Sequence, residues 1–419
     1  MKTMKQSNIE WIGKIPSDWN LMRLQFCLKE VNVKNNPIQT TQVLSLMKDV
    51  GVLPYEEKGD IGNKSKENVS EYHLAYPNTI VLNCMNILIG SVGISNYFGC
   101  VSPVYYVFKE TDKCDLRFIN YIFNTREFQK ELRKYAKGIL EIRLRVSADD
   151  IFKQKVPLPS KDVQTKIANF LDQKCSDIDS LSADIQSQID TLEQYKKSMI
   201  TEAVTRGLNA NVEIKDSEIF YMAPYNASWR LTKIGYECSK LWRSFEPEDT
   251  ALLCTNKGKV AVRPPEMAGK MVSEDNAMQG IRKGDIAIHG MDTWHGAIAL
   301  SEHDGKITRV VHVCDSTQEK RFIVYYLQQL AFNGVYKLIS NGVRGNTSDF
   351  RSWDKVKDIY IALPDIQEQV EIANHLDTKC AEIEAIIADK KAQLETLAEY
   401  KKSLIYEYVT GKKEVPKNV

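Results

Sequence analysis

Between residues 159 and 205 the apolar positions recur every seven residues, at Leu171, Ile178, Ile185, Leu192 and Met199, with Leu181 and Tyr195 in the intervening positions. That spacing is the seam of a helix that pairs with another helix. No Pro or Gly interrupts the run, and Pro159 stands just ahead of it, where the fixed φ of proline suits a helix start. A second stretch, 364–410, repeats the first without a gap. About half of the positions are identical, among them Gln164/Gln369, Asn169/Asn374, Asp172/Asp377, Cys175/Cys380 and Tyr195-Lys196-Lys197-Ser198/Tyr400-Lys401-Lys402-Ser403. The second copy keeps Leu376, Ile383, Leu397 and Leu404 in frame, with Ile386 between them, but puts Lys390 where the first has Ile185. A charge in such a seam costs stability and can fix register. Each stretch predicts one helix of roughly 40 residues or more, about 60 Å long at 1.5 Å per residue. A lone helix of that length has nowhere to bury its stripe. Two copies separated by a globular region predict an antiparallel pair, packed through Leu171, Ile178, Leu181, Ile185 and Leu192 against Leu376, Ile383, Ile386, Leu397 and Leu404. The repeated polar residues exceed what simple amphipathicity demands.

The regions between the helices repeat each other more faintly. Asn78 to Leu82 leads into Asn83-Cys84-Met85-Asn86, Gly90, Gly99 and Val104-Tyr105-Tyr106-Val107; Gly284 to Ile288 leads into His289-Gly290-Met291-Asp292, Gly296, Gly305 and Val310-Val311-His312-Val313. Short runs rich in Ile, Val and Tyr, punctuated by Gly, Asn, Ser and Pro, predict strands of a compact sheet. Amphipathic helices are expected to follow, near 115–136 and 318–340. Each unit opens on a tryptophan, Trp19 or Trp229, and closes on an apolar-Pro stretch, Val156 to Pro159 or Ile361 to Pro364. The predicted class is α+β, a tandem duplication of a mixed α/β domain plus a helix with pseudo-twofold symmetry. The expected divisions are 1–158, a helix over 159–207, 208–363, a helix over 364–412, and a tail of 413–419.

Composition changes this picture little. Hydrophobic residues make up 43% and charged residues 26% of the 419, which is ordinary for globular domains. No apolar run is long enough to span a bilayer, and the N-terminal stretch lacks the apolar core of a signal peptide, so a cytoplasmic protein is expected. Nine cysteines at scattered spacings, without a CxxC pair, point to reduced thiols and away from a zinc site. The net charge of +1 divides unevenly, with the helical stretches acidic and the globular regions basic.

The chain resembles the specificity (S) subunit of type I restriction-modification enzymes over essentially its whole length. The resemblance rests on Ile15-Pro16-Ser17-Asp18-Trp19, on Asn83 to Asn86 followed by Gly90-Ser91-Val92-Gly93, on Val101-Ser102-Pro103-Val104-Tyr105, on Trp294-His295-Gly296-Ala297, and on the twice-repeated order Leu-Pro, Gln, Ile-Ala-Asn, Leu-Asp, Tyr-Lys-Lys-Ser, Val-Thr. It implies two target recognition domains, 1–158 and 208–363, each reading half of a split site in double-stranded DNA. It implies helices that space the halves and dock two methyltransferase (modification) subunits, with restriction/translocase subunits joining through them. It further implies that no cofactor is bound by this chain, S-adenosylmethionine, ATP and Mg²⁺ being used by the partners. The second unit departs in having Thr308-Arg309 where the first has Ser102-Pro103, and the second helix closes on Thr410-Gly411-Lys412 where the first closes on Thr205-Arg206-Gly207.

No phosphate-binding Gly loop, G-x-S-x-G elbow, H-E-x-x-H or methyltransferase tetrad occurs. His289, Asp292 and His295 are close in sequence, but His289 stands where the first copy has Asn83 and His295 where it has Ile89, which argues against a metal site. Base readout takes Arg or Lys for guanine and Asn or Gln for adenine, on loops held by a scaffold. Three regions offer them: Arg143 and Arg145 just before the first long helix; their counterparts Asn341, Arg344 and Asn346; and Asn256, Lys257, Lys259 and Arg263, which answer to Lys48, Lys64 and Lys66. Blander readings stand beside this one, since Arg143 or Arg145 can pair with Glu141 and lysine-rich loops are commonly just solvated. At the level of the chain the alternatives are a scaffold that uses the helices without reading DNA, and a nuclease or fused enzyme, against which the missing motifs count.

Overall fold

The computed structural model describes residues 3–48, 50–59, 68–138, 144–267, 277–340 and 349–416. The chain forms two compact units, one of Met1–Ile185 with Ala392–Val419 and one of Gln186–Lys391. In the first, strands β1 (Met4–Gln6), β2 (Lys14–Pro16), β3 (Asn20–Arg23), β4 (Leu28–Glu30), β5 (Leu44–Met47), β6 (Gly51–Pro54), β7 (His73–Ala75), β8 (Thr79–Asn83), β9 (Val92–Ser95), β10 (Gly99–Val101) and β11 (Tyr105–Glu110) precede helices α1 (Leu116–Phe123), α2 (Arg126–Arg133) and α3 (Ala148–Lys153). Strand β12 (Lys155–Leu158) then feeds helix α4 (Lys161–Arg206). The second unit repeats the order: β13 (Ile214–Lys215), β14 (Tyr225–Asn226), β15 (Arg230–Lys233), α5 (Ile234–Glu237), β16 (Cys238–Lys240), β17 (Leu252–Thr255), β18 (Lys259–Val262), β19 (Met278–Ile281), β20 (Ile286–His289), β21 (Ile298–Leu300), β22 (Gly305–Thr308), β23 (Val311–Ser316), α6 (Lys320–Phe332), α7 (Val335–Leu338), α8 (Trp353–Lys357), β24 (Tyr360–Leu363) and α9 (Ile366–Val409).

The pairings repeat as well. The central sheets run β4-β11-β8-β9 and β16-β23-β20-β21, and the lesser ladders β1-β2, β3-β12, β5-β6 and β7-β10 recur as β13-β14, β15-β24, β17-β18 and β19-β22. Each central sheet is covered on both faces, which explains why every residue of β8 is buried. The period-two alternation of a strand splits its side chains between two cores. Ile80 and Leu82 join Phe108 and the helical residues Phe118, Ile119 and Phe128, while Val81 and Val107 meet Leu44 and Leu46 of the β5-β6 hairpin. In the second unit Ile286 and Ile288 face Phe322 and Leu327, and Ala287 and Val313 face Leu252 and Val260. All nine cysteines are free, buried thiols, and burial pushes Cys100 and Cys238 up to about 11.

The two long helices run 46 and 44 residues, and within each unit their segments pack antiparallel. In the first unit Phe170 meets Tyr408 at 4.6 Å between ring centroids, and Asp179 accepts from Lys401 Nζ at 2.6 Å. In the second, Lys196 Nζ reaches Glu384 at 2.5 Å and Lys390 Nζ reaches the Gln188 amide oxygen at 2.5 Å. Asp179–Lys401 and Glu384–Lys196 are the same contact, made once by each copy. Each helix ends under the tryptophan that opens the other repeat. Gly411 has φ +71°, and a Cβ there would lie 2.5 Å from Pro16 and 3.1 Å from Trp19; Gly207 has φ +88°, 2.9 Å from Glu368 and 3.4 Å from Trp229. The two closing sequences therefore differ while both supply a glycine in the left-handed region.

The seam differs from the sequence expectation at three positions. Leu171, Ile178, Ile185, Leu376, Ile383 and Leu404 are buried, and Leu192 and Leu397 are half-buried. Leu181 and Ile386, however, are 48% and 47% exposed, and Tyr195 faces outward too. The intervening layer lies one residue later, at Cys175, Ser182, Ile189 and Lys196 in α4 and at Cys380, Ile387, Leu394 and Lys401 in α9, none of which is exposed. The polar Ser182 and Lys196 had yielded their places to the apolar Leu181 and Tyr195 in the pattern. Truncating Leu171 or Leu376 to Ala is expected to cost about 2 to 5 kcal/mol, and truncating Leu181 or Ile386 less than about 0.5 kcal/mol, as read from denaturant midpoints of the full chain.

The repeated polar residues have a structural role, which is to fasten each globular unit to a long helix. Arg117 on α1 donates to Asn169 and Asp172 at 2.8 Å each, and the Tyr121 hydroxyl donates to Asp172 at 2.7 Å. Gln164 accepts the Asp115 N–H at 2.9 Å and donates to the carbonyls of Pro159 and Lys113. Arg321, Tyr325, Asn374, Asp377 and Gln369 repeat this in the second unit. Burial raises the Tyr121 and Tyr325 hydroxyls. Burial also opposes ionisation of Asp115, yet hydrogen bonds from Arg117 and Thr165 hold its carboxyl below the usual range, and Arg321 does the same for Glu319. Folded values below the unfolded ones mean stability that is present above the unfolded pKa and lost as pH falls through the folded one. Thermal midpoints should therefore drop as pH falls below about 4, and Glu319→Gln should flatten that drop in the second unit.

Candidate nucleic-acid interface

In the second unit Asn256, Lys257 and Lys259 come together on the turn of the β17-β18 hairpin. Thr255 Oγ1 donates to Lys259 O at 2.9 Å, and Gly258 N–H to Thr255 O at 3.0 Å. Gly258 sits at φ +68°, in the left-handed region, so the tight turn beside Gln328 of α6 favours glycine. Asn256 and Lys257 are exposed. Lys259 Nζ lies 3.3 Å from Glu384 on α9, the carboxylate that also takes Lys196. Arg263 does not join this group; it follows β18, half-buried, with its N–H on Ala251 O at 2.8 Å. In the first unit Lys48 is exposed on the counterpart turn between β5 and β6. Lys64 and Lys66 fall outside the described residues.

The stretch ahead of each long helix is fastened to the end of the inner strand. In the first unit Lys137 and Arg145 exchange backbone hydrogen bonds of 2.9 Å, and Val146 N–H reaches Cys84 O, just after β8, at 3.1 Å. Arg145 is exposed on this stem; Arg143 lies outside the described residues. In the second unit Phe350 N–H donates to Gly290 O at 3.0 Å, just after β20, and His312 Nε2 donates to Phe350 O at 2.7 Å. A Cβ at Gly290 would lie 2.7 Å from Phe350 O, so this approach also needs glycine. Asn341, Arg344 and Asn346 lie outside the described residues. Burial lowers the imidazole of His312, and that of His289 too, even though Asp292 is 3.2 Å away. His295 is exposed. Among the described residues no group of three or more His, Cys, Asp or Glu is placed to hold a metal ion.

The two units thus present turns and stems of one architecture with different side chains. Exposed ammonium, guanidinium and amide groups on such turns suit phosphate oxygens and base edges. Residues 16–191 match the family model of the type I restriction modification DNA specificity domain. Those residues thus carry a type I restriction modification DNA specificity domain. Among relatives of this specificity chain is a protein of Methanocaldococcus jannaschii named as the MjaX specificity subunit of a type I restriction enzyme, 25% identical over 441 residues that cover 96% of this chain and 95% of the relative. The MjaVIII specificity subunit of the same organism is 22% identical, over 98% and 97%. The fold is also found in a solved chain from work on complex assembly and conformational transition of the type I R-M system, with a TM-score of 0.68, 13% identity, and coverage of 95% of this chain and 99% of that one. The HsdS subunit from Thermoanaerobacter tengcongensis has a TM-score of 0.51 and 14% identity, with coverage of 97% and 100%.

The sequence expectation missed the fastening residues of the specificity chain, Arg117 with Tyr121 and Arg321 with Tyr325. The signal was present, because Arg-Phe-Ile and a tyrosine recur in both units, but nothing in a linear pattern shows which carboxylate an arginine will meet. Glu384→Gln should leave Lys259 free for phosphate. An exposed pair of this kind is worth up to about 1 kcal/mol, so DNA binding is expected to tighten roughly two- to fivefold, measured by fluorescence anisotropy of a labelled duplex titrated with the chain.

Proposed function

We propose that this specificity chain is the non-catalytic DNA-reading subunit of a type I restriction-modification enzyme, with each globular unit reading one part of a split, asymmetric double-stranded site. The observation that carries this reading is the strand-for-strand repetition of one scaffold whose turns hold different side chains: Lys48 on one, Asn256, Lys257 and Lys259 on the other. One architecture with dissimilar contact residues reads two different sequences. The long helices then set the spacing between the two parts, much as dimer geometry sets half-site spacing elsewhere.

On this reading, methylation and cleavage belong to partner subunits of a cytoplasmic complex, and S-adenosylmethionine, ATP and Mg²⁺ act there. Two methyltransferase subunits dock on the helix pair, and restriction/translocase subunits join through them. Two copies of one partner suit the two equivalent outward-facing sets on the helices, Leu181 with Tyr400 and Ile386 with Tyr195, which are 48%, 52%, 47% and 59% exposed. Large apolar side chains at matched exposed positions fit a buried interface better than solvent.

Expression with the cognate methyltransferase subunit is expected to add one split motif, methylated on both strands, to a host methylome read by single-molecule sequencing. Exchanging residues 1–158 for another recognition domain should change one half of that motif only. A stable complex that adds no motif would favour the scaffold reading. Replacing Leu181 and Tyr400 by Ser should lower methyltransferase stoichiometry from two to one in native mass spectrometry.

A further inference from the structure

Strands β4 and β11 of the first unit set Lys29 directly opposite Lys109. Hydrogen bonds on either side, Val31 N–H to Val107 O at 2.8 Å and Thr111 N–H to Cys27 O at 2.9 Å, fix that register. Partners in register point to the same face, and both lysines are exposed. The Lys113 ammonium lies 5.8 Å from the centre of the Phe26 ring, which is 48% exposed. The Thr111 hydroxyl donates to Phe26 O at 2.9 Å and holds the turn that carries the ring. Lys29, Lys109, Lys113, Gln25 and Phe26 line one open depression, which Glu110, Thr111 and Asp112 also border.

Like charges directly opposed across a ladder are destabilising. Among the described residues no carboxylate forms an ion pair with Lys29, Lys109 or Lys113. Glu110 is occupied, accepting the Leu116 N–H at 2.8 Å where α1 begins, and Asp112 is exposed at the rim. Nor does the fold demand lysines here. The corresponding residues of the second unit are Ser239 opposite Asp315, and Asp315 is ion-paired with Lys320. The second unit keeps only the aromatic, in Tyr236, which is 82% exposed on the equivalent turn.

We propose that this depression binds the phosphodiester backbone of duplex DNA. Lys29 and Lys109 share one phosphate group, Lys113 holds its neighbour, and the Phe26 ring lies against the sugar between them. The inference rests on the DNA-reading function proposed above and adds a contact that the first unit alone makes, away from every turn and stem already described. A phosphate between opposed ammonium groups converts their repulsion into two charge-assisted hydrogen bonds. Such a contact supplies affinity through counterion release and positions the unit without reading sequence.

The test uses the complex with methyltransferase and compares wild type, Lys29→Gln/Lys109→Gln and the control Lys155→Gln, an exposed lysine on β12. Binding to a labelled duplex carrying the target and to a scrambled duplex is measured over a range of salt concentrations. The double variant should lower the slope of log affinity against log salt by about 0.9, the value for the one phosphate that the two lysines share. It should weaken both duplexes by the same factor and melt no lower than wild type, because a repulsion has been removed; the control should match wild type throughout. An unchanged slope with target preference intact overturns this contact and leaves the DNA-reading function standing. Weaker methyltransferase association with an unchanged slope reassigns the depression to an acidic protein segment. If the wild-type complex shows no preference between the duplexes, the underlying function fails and the contact falls with it.

Discussion

The structure depends on one carboxylate in each long helix. Asp172 receives a guanidinium and a phenol from α1, and Asp377 receives the same pair from α6. A helix 46 residues long cannot be held in a fixed orientation by an apolar stripe alone, since such a stripe tolerates sliding and rotation. A bifurcated acceptor with directional donors removes that freedom. The buried glutamines Gln164 and Gln369 bind the entry to the helix of each unit in the same way.

With that fastening in place, the rest of each globular unit is free to vary. The central sheet is buried between its helices and its hairpin, so the inner strands must be apolar on both faces. Their connections carry no such demand. Side chains on the turns can therefore differ between units without disturbing the cores, as Lys48 and Asn256 do on equivalent hairpins. The exceptions are two glycines: Gly258, held at φ +68° in its turn, and Gly290, whose approach to the Phe350 carbonyl leaves no space for a Cβ.

The helix pair also touches the candidate DNA surface. Glu384 takes Lys196 from the neighbouring helix and Lys259 from the β17-β18 hairpin, so a residue of the long helix α9 touches a residue of the candidate DNA surface. The counterpart Asp179 takes Lys401. The two units thus share a scaffold but differ in how their contact surfaces are charged, and the opposed Lys29 and Lys109 extend that difference.

Periodicity and internal repetition in the sequence determined the long helices, the duplicated α+β units and the buried strands, because a continuous apolar face has few ways to avoid water. Repetition also marked Gln164, Asn169 and Asp172 as more than surface residues. Only the tertiary structure decided what they bind, since Arg117 and Tyr121 lie about fifty residues away in the chain. It likewise decided that Leu181 and Ile386 face outward while Ser182 and Ile387 turn inward. Steps of three and four residues both lie on one side of a helix, and hydropathy chose the more apolar of two neighbours at 181 and 182. Packing chose the one that met the partner helix, because the angle between neighbouring residues is set by geometry, whatever their hydropathy.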